Sequence, residues 1–261
     1  MLKHLPSSTR TDLRIAVLTG TTIEARGDHL VVRTPTNPVY HWGNFVQVVS
    51  GDVDDSAHWL QVFEAEFPQA AHRAIGLPRR PEGASWARDG LKIEVAESLT
   101  CRMAPAVTPL AQGYAVRPLL SDLDWGARTA GELAENDLTG EYPADEYRSF
   151  MANQVAARRD LVDRQQAAWF GAFTPEGALA ASLGIVDLGD CARYQSVLTA
   201  VGHRRRGLAR HLLSVAAEWG FDRGVEELVI VAEADSAAGR LYTRAGFAPG
   251  ALDYSAYTQA L

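Results

Sequence analysis

Apolar positions in the first hundred residues come in short runs: Leu13–Leu18, Leu30–Thr34, Phe45–Val49, His72–Gly76, Leu91–Val95 and Leu99–Met103. Runs of this length between turn residues predict strands. One helical pattern interrupts them, with Asp55 or Ser56 as its cap, Trp59, Val62 and Phe63 on its inward face, and Pro68 ending it. Ala104 to Gly113 is short of charge, carries two prolines and reads as a linker. After it the pattern predicts a strand at Tyr114–Leu119, a helix capped at Ser121-Asp122 and running to about Glu135, and a second helix from Pro143 to Arg164. Trp169–Phe173 and Ala178–Leu188 read as a hairpin turning at Thr174–Gly177. A strand from Tyr194 to Val201, an amphipathic helix, a strand at Val225–Val231, another helix and a last strand within Leu252–Leu261 complete the order.

The most informative stretch is Arg204-Arg205-Arg206-Gly207-Leu208-Ala209, between the Tyr194 strand and the helix whose stripe is Leu208, Leu212, Val215, Ala216 and Trp219. A glycine at a strand-to-helix turn lets backbone N–H groups approach a ligand with no Cβ in the way. Those amides are unpaired and sit at the positive end of the helix dipole, so the turn suits an anion. The arginines add donors matched to phosphate. Gly202 to Gly207 has the spacing of a nucleotide P-loop, but Leu208-Ala209 stand where Lys and Ser/Thr are required, so ATP and GTP are excluded. The Gly-x-Gly-x-x-Gly dinucleotide fingerprint is absent too.

Arg204-x-x-Gly207-x-Ala209 resembles the Arg/Gln-x-x-Gly-x-Gly/Ala signature of the GNAT acetyltransferase superfamily. Downstream, Asp235-x-x-Ala238-x-x-Leu241-Tyr242-x-x-x-Gly246-Phe247 resembles that family's Asn-x-x-Ala-x-x-Leu-Tyr-x-x-x-Gly-Phe, with Asp for Asn as the one departure. Asp235 or Ser236 can cap this second helix, and Ala238, Leu241, Tyr242 and Ala245 are expected to form its buried stripe. An earlier Arg73-x-x-Gly76 is followed by Leu77-Pro78 rather than a helix.

The resemblance implies an α/β (α+β) fold: a mixed twisted sheet over residues 114–261, joined by the linker 104–113 to a smaller strand-rich domain over 1–103. The first domain resembles the reduced copy of tandem GNAT proteins. The implied co-substrate is acetyl-coenzyme A. Its pyrophosphate is expected at Arg204, Arg205, Arg206, Gly207, Leu208 and Ala209, and its pantetheine arm on the strand backbone at Val197, Leu198 and Thr199. Asp235 and Ala238 belong to the same cofactor signature. Tyr242 matches the tyrosine that protonates the departing thiolate, and a bulged strand is expected near Leu198 or Thr199. The implied acceptor is the amine of a small molecule or of a protein N-terminus.

The general base stays open. Where family members often carry a glutamate this chain has Gln195, leaving Glu135, Asp137, Glu141, Asp187 or a water chain. The aromatic cluster Tyr40-His41-Trp42-Gly43-Asn44-Phe45 either walls the substrate or packs a buried strand edge.

Composition narrows the rest. The 261 residues exceed the usual single domain and favour two. A net charge of −7 argues against a general nucleic-acid surface. The basic cluster His203–Arg210 lacks an aromatic platform, and a nucleic-acid reading of it predicts strongly salt-dependent binding without coenzyme A affinity. No segment approaches a membrane span and the N-terminus has no signal-type apolar region, so a cytoplasmic protein is expected. Cys101 and Cys191 fit reduced thiols, and no Cys/His spacing suggests a metal. A monomer or homodimer is expected. The rival to an enzyme is an acetyl-coenzyme A sensor without turnover.

Overall fold

A computed structural model describes residues 5–258. The helices are α1 (Ser7–Leu18), α2 (Ser56–Glu66), α3 (Ser85–Arg88), α4 (Asp122–Thr139), α5 (Ala144–Asp163), α6 (Leu208–Phe221) and α7 (Ala237–Arg244). The strands are β1 (Thr22–Ala25), β2 (His29–Arg33), β3 (Phe45–Val48), β4 (Ala74–Leu77), β5 (Lys92–Cys101), β6 (Ala115–Pro118), β7 (Ala167–Phe173), β8 (Leu179–Asp187), β9 (Cys191–Thr199), β10 (Glu227–Glu233) and β11 (Ala248–Tyr257). All eleven strands join one mixed sheet in the order β1-β2-β3-β4-β11-β5-β10-β9-β8-β7-β6. The pairs β3–β4 and β9–β10 are parallel, and the others are antiparallel.

The two halves interlock. The C-terminal strand β11 pairs with β4 and β5, while β5, from the first half, pairs with β10. Residues 104–111 have no helix or strand, and the segment packs Leu110 and Ala111 against the core of the second half.

Alternation along the strands divides two layers of core. Phe170 and Ile185 face α6 and join Leu208, Leu212, Leu213 and Tyr242. Trp169 and Val186 face the other way, toward Trp125 of α4, Leu161 of α5 and Ile15 of α1. A third cluster packs Trp59, Phe63 and Trp86 over Val46, Ile75 and Leu77. The α4 helix starts with a capping box between Ser121 and Asp124 and ends at left-handed Gly140. Arg117, followed by the Ser121 and Leu120 N–H groups, holds the Asp124 carboxyl well below the usual range.

Several expectations need correction. Leu13–Leu18 is not a strand but the second half of α1. Short apolar runs fit either type, and partners far along the chain decided here. Asp12 pairs with Arg193, while Arg14 pairs with Asp190 and donates to the Leu188 carbonyl. The runs at 91–95 and 99–103 merge into β5, because β10 and β11 flank it across the intervening residues. The strand β1 and helix α3 were not predicted. Helix α4 continues past Glu135, and β11 begins before Leu252. Ser236, not Asp235, caps α7, and Ala238 is exposed while Gly239 takes the buried position.

Gly184 marks the tightest contact in the second half. A Cβ there would overlap the Trp169 indole on the paired strand. Gly184→Ala is therefore expected to destabilise the fold by about 1–3 kcal/mol. A denaturant melt matching wild type would show that the ring moves aside.

Candidate active site

Strand β9 runs parallel to β10 only over Cys191–Arg193. Beyond that point β10 stays with β5 through Glu233, and β9 continues alone on that side to Thr199. The two strands thus splay, and an edge with no strand partner follows at Val197, Leu198 and Thr199, where the Thr199 carbonyl accepts from Arg204. On its other side β9 pairs with β8, but the register slips between Ser182–Leu198 and Gly184–Gln195. That slip is a bulge at Ser196, whose φ is +49°.

The strand ends in a single helical turn, Val201–His203, and then the arginine loop. Arg205 has φ +63° and Gly207 has φ +77°, and α6 begins behind Gly207 with no side-chain cap. The first-turn N–H groups of Leu208, Ala209 and Arg210 therefore have no carbonyl within the helix to donate to. Leu208 buries its side chain in the core, so only its backbone serves the loop. This uncapped, positive-φ turn fits an anionic group. The linker lies against it: Thr108 Cγ2 would stand 3.4 Å from a Cβ on Gly207, and the Thr108 carbonyl accepts from His211 Nδ1 at 2.7 Å.

The structure gives Arg204 a different partner from the one the sequence suggested. Its guanidinium donates to both Glu135 oxygens at 2.7 Å and to the Thr199 carbonyl at 3.0 Å. Arg204 thereby ties the loop to α4, and Arg205 and Arg206 remain as exposed charges. The pair is partly exposed, so it contributes at most about 1 kcal/mol to stability. Glu135→Gln is expected to leave turnover within a few-fold of wild type. A collapse of turnover with coenzyme A affinity intact would reinstate Glu135 as a base.

Tyr242 is buried in the same core cluster as Leu208 and Leu212, with its ring edge-on to Phe247. Burial pushes its phenol up to about 12, so it holds its proton at neutral pH. Asp235 is exposed, with φ +59°, and its carbonyl accepts from Arg240. Four non-glycine residues with positive φ occur among the described residues, and three of them, Ser196, Arg205 and Asp235, frame this region. Strained backbone of this kind concentrates at functional sites. No sequence signal announced it, because none of the three is glycine.

On the opposite face of the splay, under α1 and α5, lies a cavity of about 320 Å³. Gln195 and Val231 line it at the splay, and Asp12, Glu94 and Asp253 line it further in. A neighbouring cavity of about 250 Å³ shares Tyr40, Trp42 and Arg158 with it and reaches Tyr142, Glu146 and Ser196. Tyr40, His41, Trp42 and Phe45 line the two cavities, whereas Gly43 and Asn44 are buried packing, so both readings of the aromatic cluster hold in part. Stacked against His72 at 4.2 Å, the His41 imidazole is pushed down to about 4 by burial and then by His72, and stays neutral.

Of the four carboxylates considered as base, Asp187 accepts from the Gly189 N–H and holds the β8–β9 turn, while Asp137 is exposed. Burial raises the Glu94 carboxyl, and the Glu141 carboxylate adds to the rise. Burial and then the Glu141 carboxylate push the Tyr142 phenol up.

Asp253 is pushed up to about 6, chiefly by burial, with Asp12 adding to the rise and a hydrogen bond from Thr9 opposing it. Between the unfolded value of 3.8 and about 6 the folded protein binds more protons, so stability falls as pH rises through that window. Asp253→Asn is expected to abolish this slope and raise the thermal midpoint at pH 7–8. An unchanged midpoint across pH 4–8 in both proteins would contradict it.

Among the described residues, no group of three His, Cys, Asp or Glu is placed to hold a metal, and no helix is long and apolar enough to cross a membrane. The acetyltransferase (GNAT) family's sequence profile matches residues 131–247. No curated protein sequence matches the chain significantly. Solved structures resemble it over most of its length. A functionally unknown conserved protein from Staphylococcus epidermidis has a TM-score of 0.72 at 12% identity, covering 93% of this chain and 96% of its own. A GCN5-related N-acetyltransferase from Kribbella flavida has a TM-score of 0.63 at 14% identity, covering 94% of each chain. A tandem GNAT protein from the clavulanic acid biosynthesis pathway has a TM-score of 0.57 at 16% identity, covering 95% of this chain and 88% of its own. The splayed strand, the uncapped helix behind Gly207 and the buried tyrosine thus lie in a fold shared with these proteins, and residues 131–247 match the acetyltransferase (GNAT) family.

Proposed function

We propose that the protein is an acetyl-coenzyme A-dependent N-acetyltransferase acting on an amine of a small molecule or peptide. The observation that carries this reading is the uncapped start of α6 behind left-handed Gly207, at the end of a strand that has just parted from its neighbour. Residues 207–209, with Arg205 and Arg206, would hold the pyrophosphate, and the free edge at Val197–Thr199 the pantetheine amides. Bound there, acetyl-coenzyme A supplies an activated acetyl thioester.

The chain's own groups do the rest. A backbone N–H near the Ser196 bulge donates to negative charge developing on the acyl oxygen, a role typically worth about 3 kcal/mol. Tyr242 holds a proton for the departing thiolate. The cavity beneath Gln195 admits the amine from the opposite face, and Glu141 or a water chain takes its proton. We further propose the division 1–103, linker 104–113 and 114–261, with the first part walling the acceptor cavity through Tyr40–Trp42. A cytoplasmic location, the absence of nucleic-acid and membrane partners, and a monomeric or homodimeric state belong to the same proposal.

One observation favours a second reading. No carboxylate stands at Gln195, which suits a sensor that binds acetyl-coenzyme A without turnover. Titration calorimetry with acetyl-coenzyme A and an acyl-transfer assay on an amine panel separate the two. Absence of binding would reject both.

A further inference from the structure

We infer that the cavity between α1 and the β5–β11 pair recognises a second ammonium group on the acceptor, making the substrate an elongated aliphatic diamine or polyamine. This inference rests on the acetyltransferase reading for the reaction, but the socket itself is argued from the cavity.

The carboxylates are the starting point. Asp253 lies on β11 directly opposite Ala96 of β5, and Glu94 is opposite Ser255, so both project to the same face, which floors the cavity. Asp12 enters from α1, keeps 55% of its side-chain surface accessible and lines the same cavity. Asp12 has Arg193 at 3.1 Å, but Asp253 and Glu94 form no ion pair among the described residues. The groups that influence Glu94 are the carboxylates Glu141 and Glu233. A charge withdrawn from water costs stability unless it is paired. A cationic occupant supplies that pairing.

Unpartnered polar atoms make the second, independent observation. Asp253 uses Oδ1 for Thr9 at 2.9 Å, while its buried Oδ2 has no hydrogen-bond partner. Ser8 is 97% buried, lines the same cavity, and its hydroxyl is also unpartnered. Native proteins rarely leave such atoms unpaired. An ammonium carries three donors, enough for Asp253 Oδ2, the Ser8 hydroxyl and Asp12 together.

The register sets the length of the ligand. Val231, at the splay, pairs with Ser98 of β5, and Ala96, two residues along, pairs with Asp253 on the far side. Two strand spacings and two residues place the socket roughly 12 Å from the splay. A chain of several methylenes spans this distance past Tyr40 and Trp42, whose faces suit a passing cation.

The test uses the full-length protein with 1,8-diaminooctane and 1,9-diaminononane, which span that distance when extended, against octylamine, nonylamine and 8-aminooctanoate. Calorimetric titration is expected to show at least ten-fold tighter binding of the better diamine than of its monoamine, with 8-aminooctanoate weaker still. Asp253→Asn, which keeps an acceptor for Thr9, and Glu94→Gln are each expected to reduce that preference at least ten-fold, with thermal melts confirming the fold. Equal binding of diamine and monoamine, or a preference unchanged in both variants, overturns the inference. Because binding is read without turnover, selective diamine binding with no acetyl transfer would reject the acetyltransferase reading and keep the socket. Transfer to monoamines with no diamine preference would do the reverse.

Discussion

Tyr242→Phe is expected to lower the turnover number by roughly 10²–10⁴ while acetyl-coenzyme A affinity changes little. The ring stays, so the contacts with Phe247 and the α6 core remain. What disappears is a phenol that burial pushes up to about 12, which at neutral pH is a proton held ready for a strongly basic leaving group. A structural tyrosine behaves differently. Losing one hydrogen bond costs about 1 kcal/mol of stability and leaves turnover per folded molecule intact. Steady-state transfer normalised to folded protein distinguishes the two. A wild-type rate would remove Tyr242 from the mechanism and leave water to protonate the thiolate.

Gly207→Asp is expected to weaken acetyl-coenzyme A binding by at least a hundred-fold, with cooperative unfolding preserved. At φ +77° an aspartate is strained, at a cost of roughly 1–2 kcal/mol, but its carboxylate can cap the orphan N–H groups of α6 and offset part of that cost. The same carboxylate then occupies the anion site and repels phosphate. Its Cβ meets Thr108 Cγ2 at 3.4 Å, a contact that the linker relieves by a small shift. Unchanged affinity in titration calorimetry would show that the pyrophosphate is held elsewhere.

The local parts were legible along the chain. The amphipathic periods of α5 and α6, the hairpin turning at Thr174–Gly177, the cap at Ser121 and the glycine ahead of α6 follow from short-range rules, and each segment contains its own reason. The arginine–glycine loop and the Leu241-Tyr242 helix were legible for the same cause. The rest depends on contacts between segments far apart in the chain. Residues 13–18 became helix because Arg193, Leu188 and Asp190 bind α1 from far along the chain. Arg204 turned from the loop to Glu135, a partner that no spacing pairs with it. The left-handed turns at Ser196 and Arg205 are imposed on residues with no preference for them, by the bulge and the loop they occupy. Asp12, Glu94 and Asp253 read as scattered surface carboxylates until β5 and β11 are laid side by side under α1. Helix starts and turns depend on neighbours a few residues away, whereas a cavity depends on which distant strands the sheet brings together.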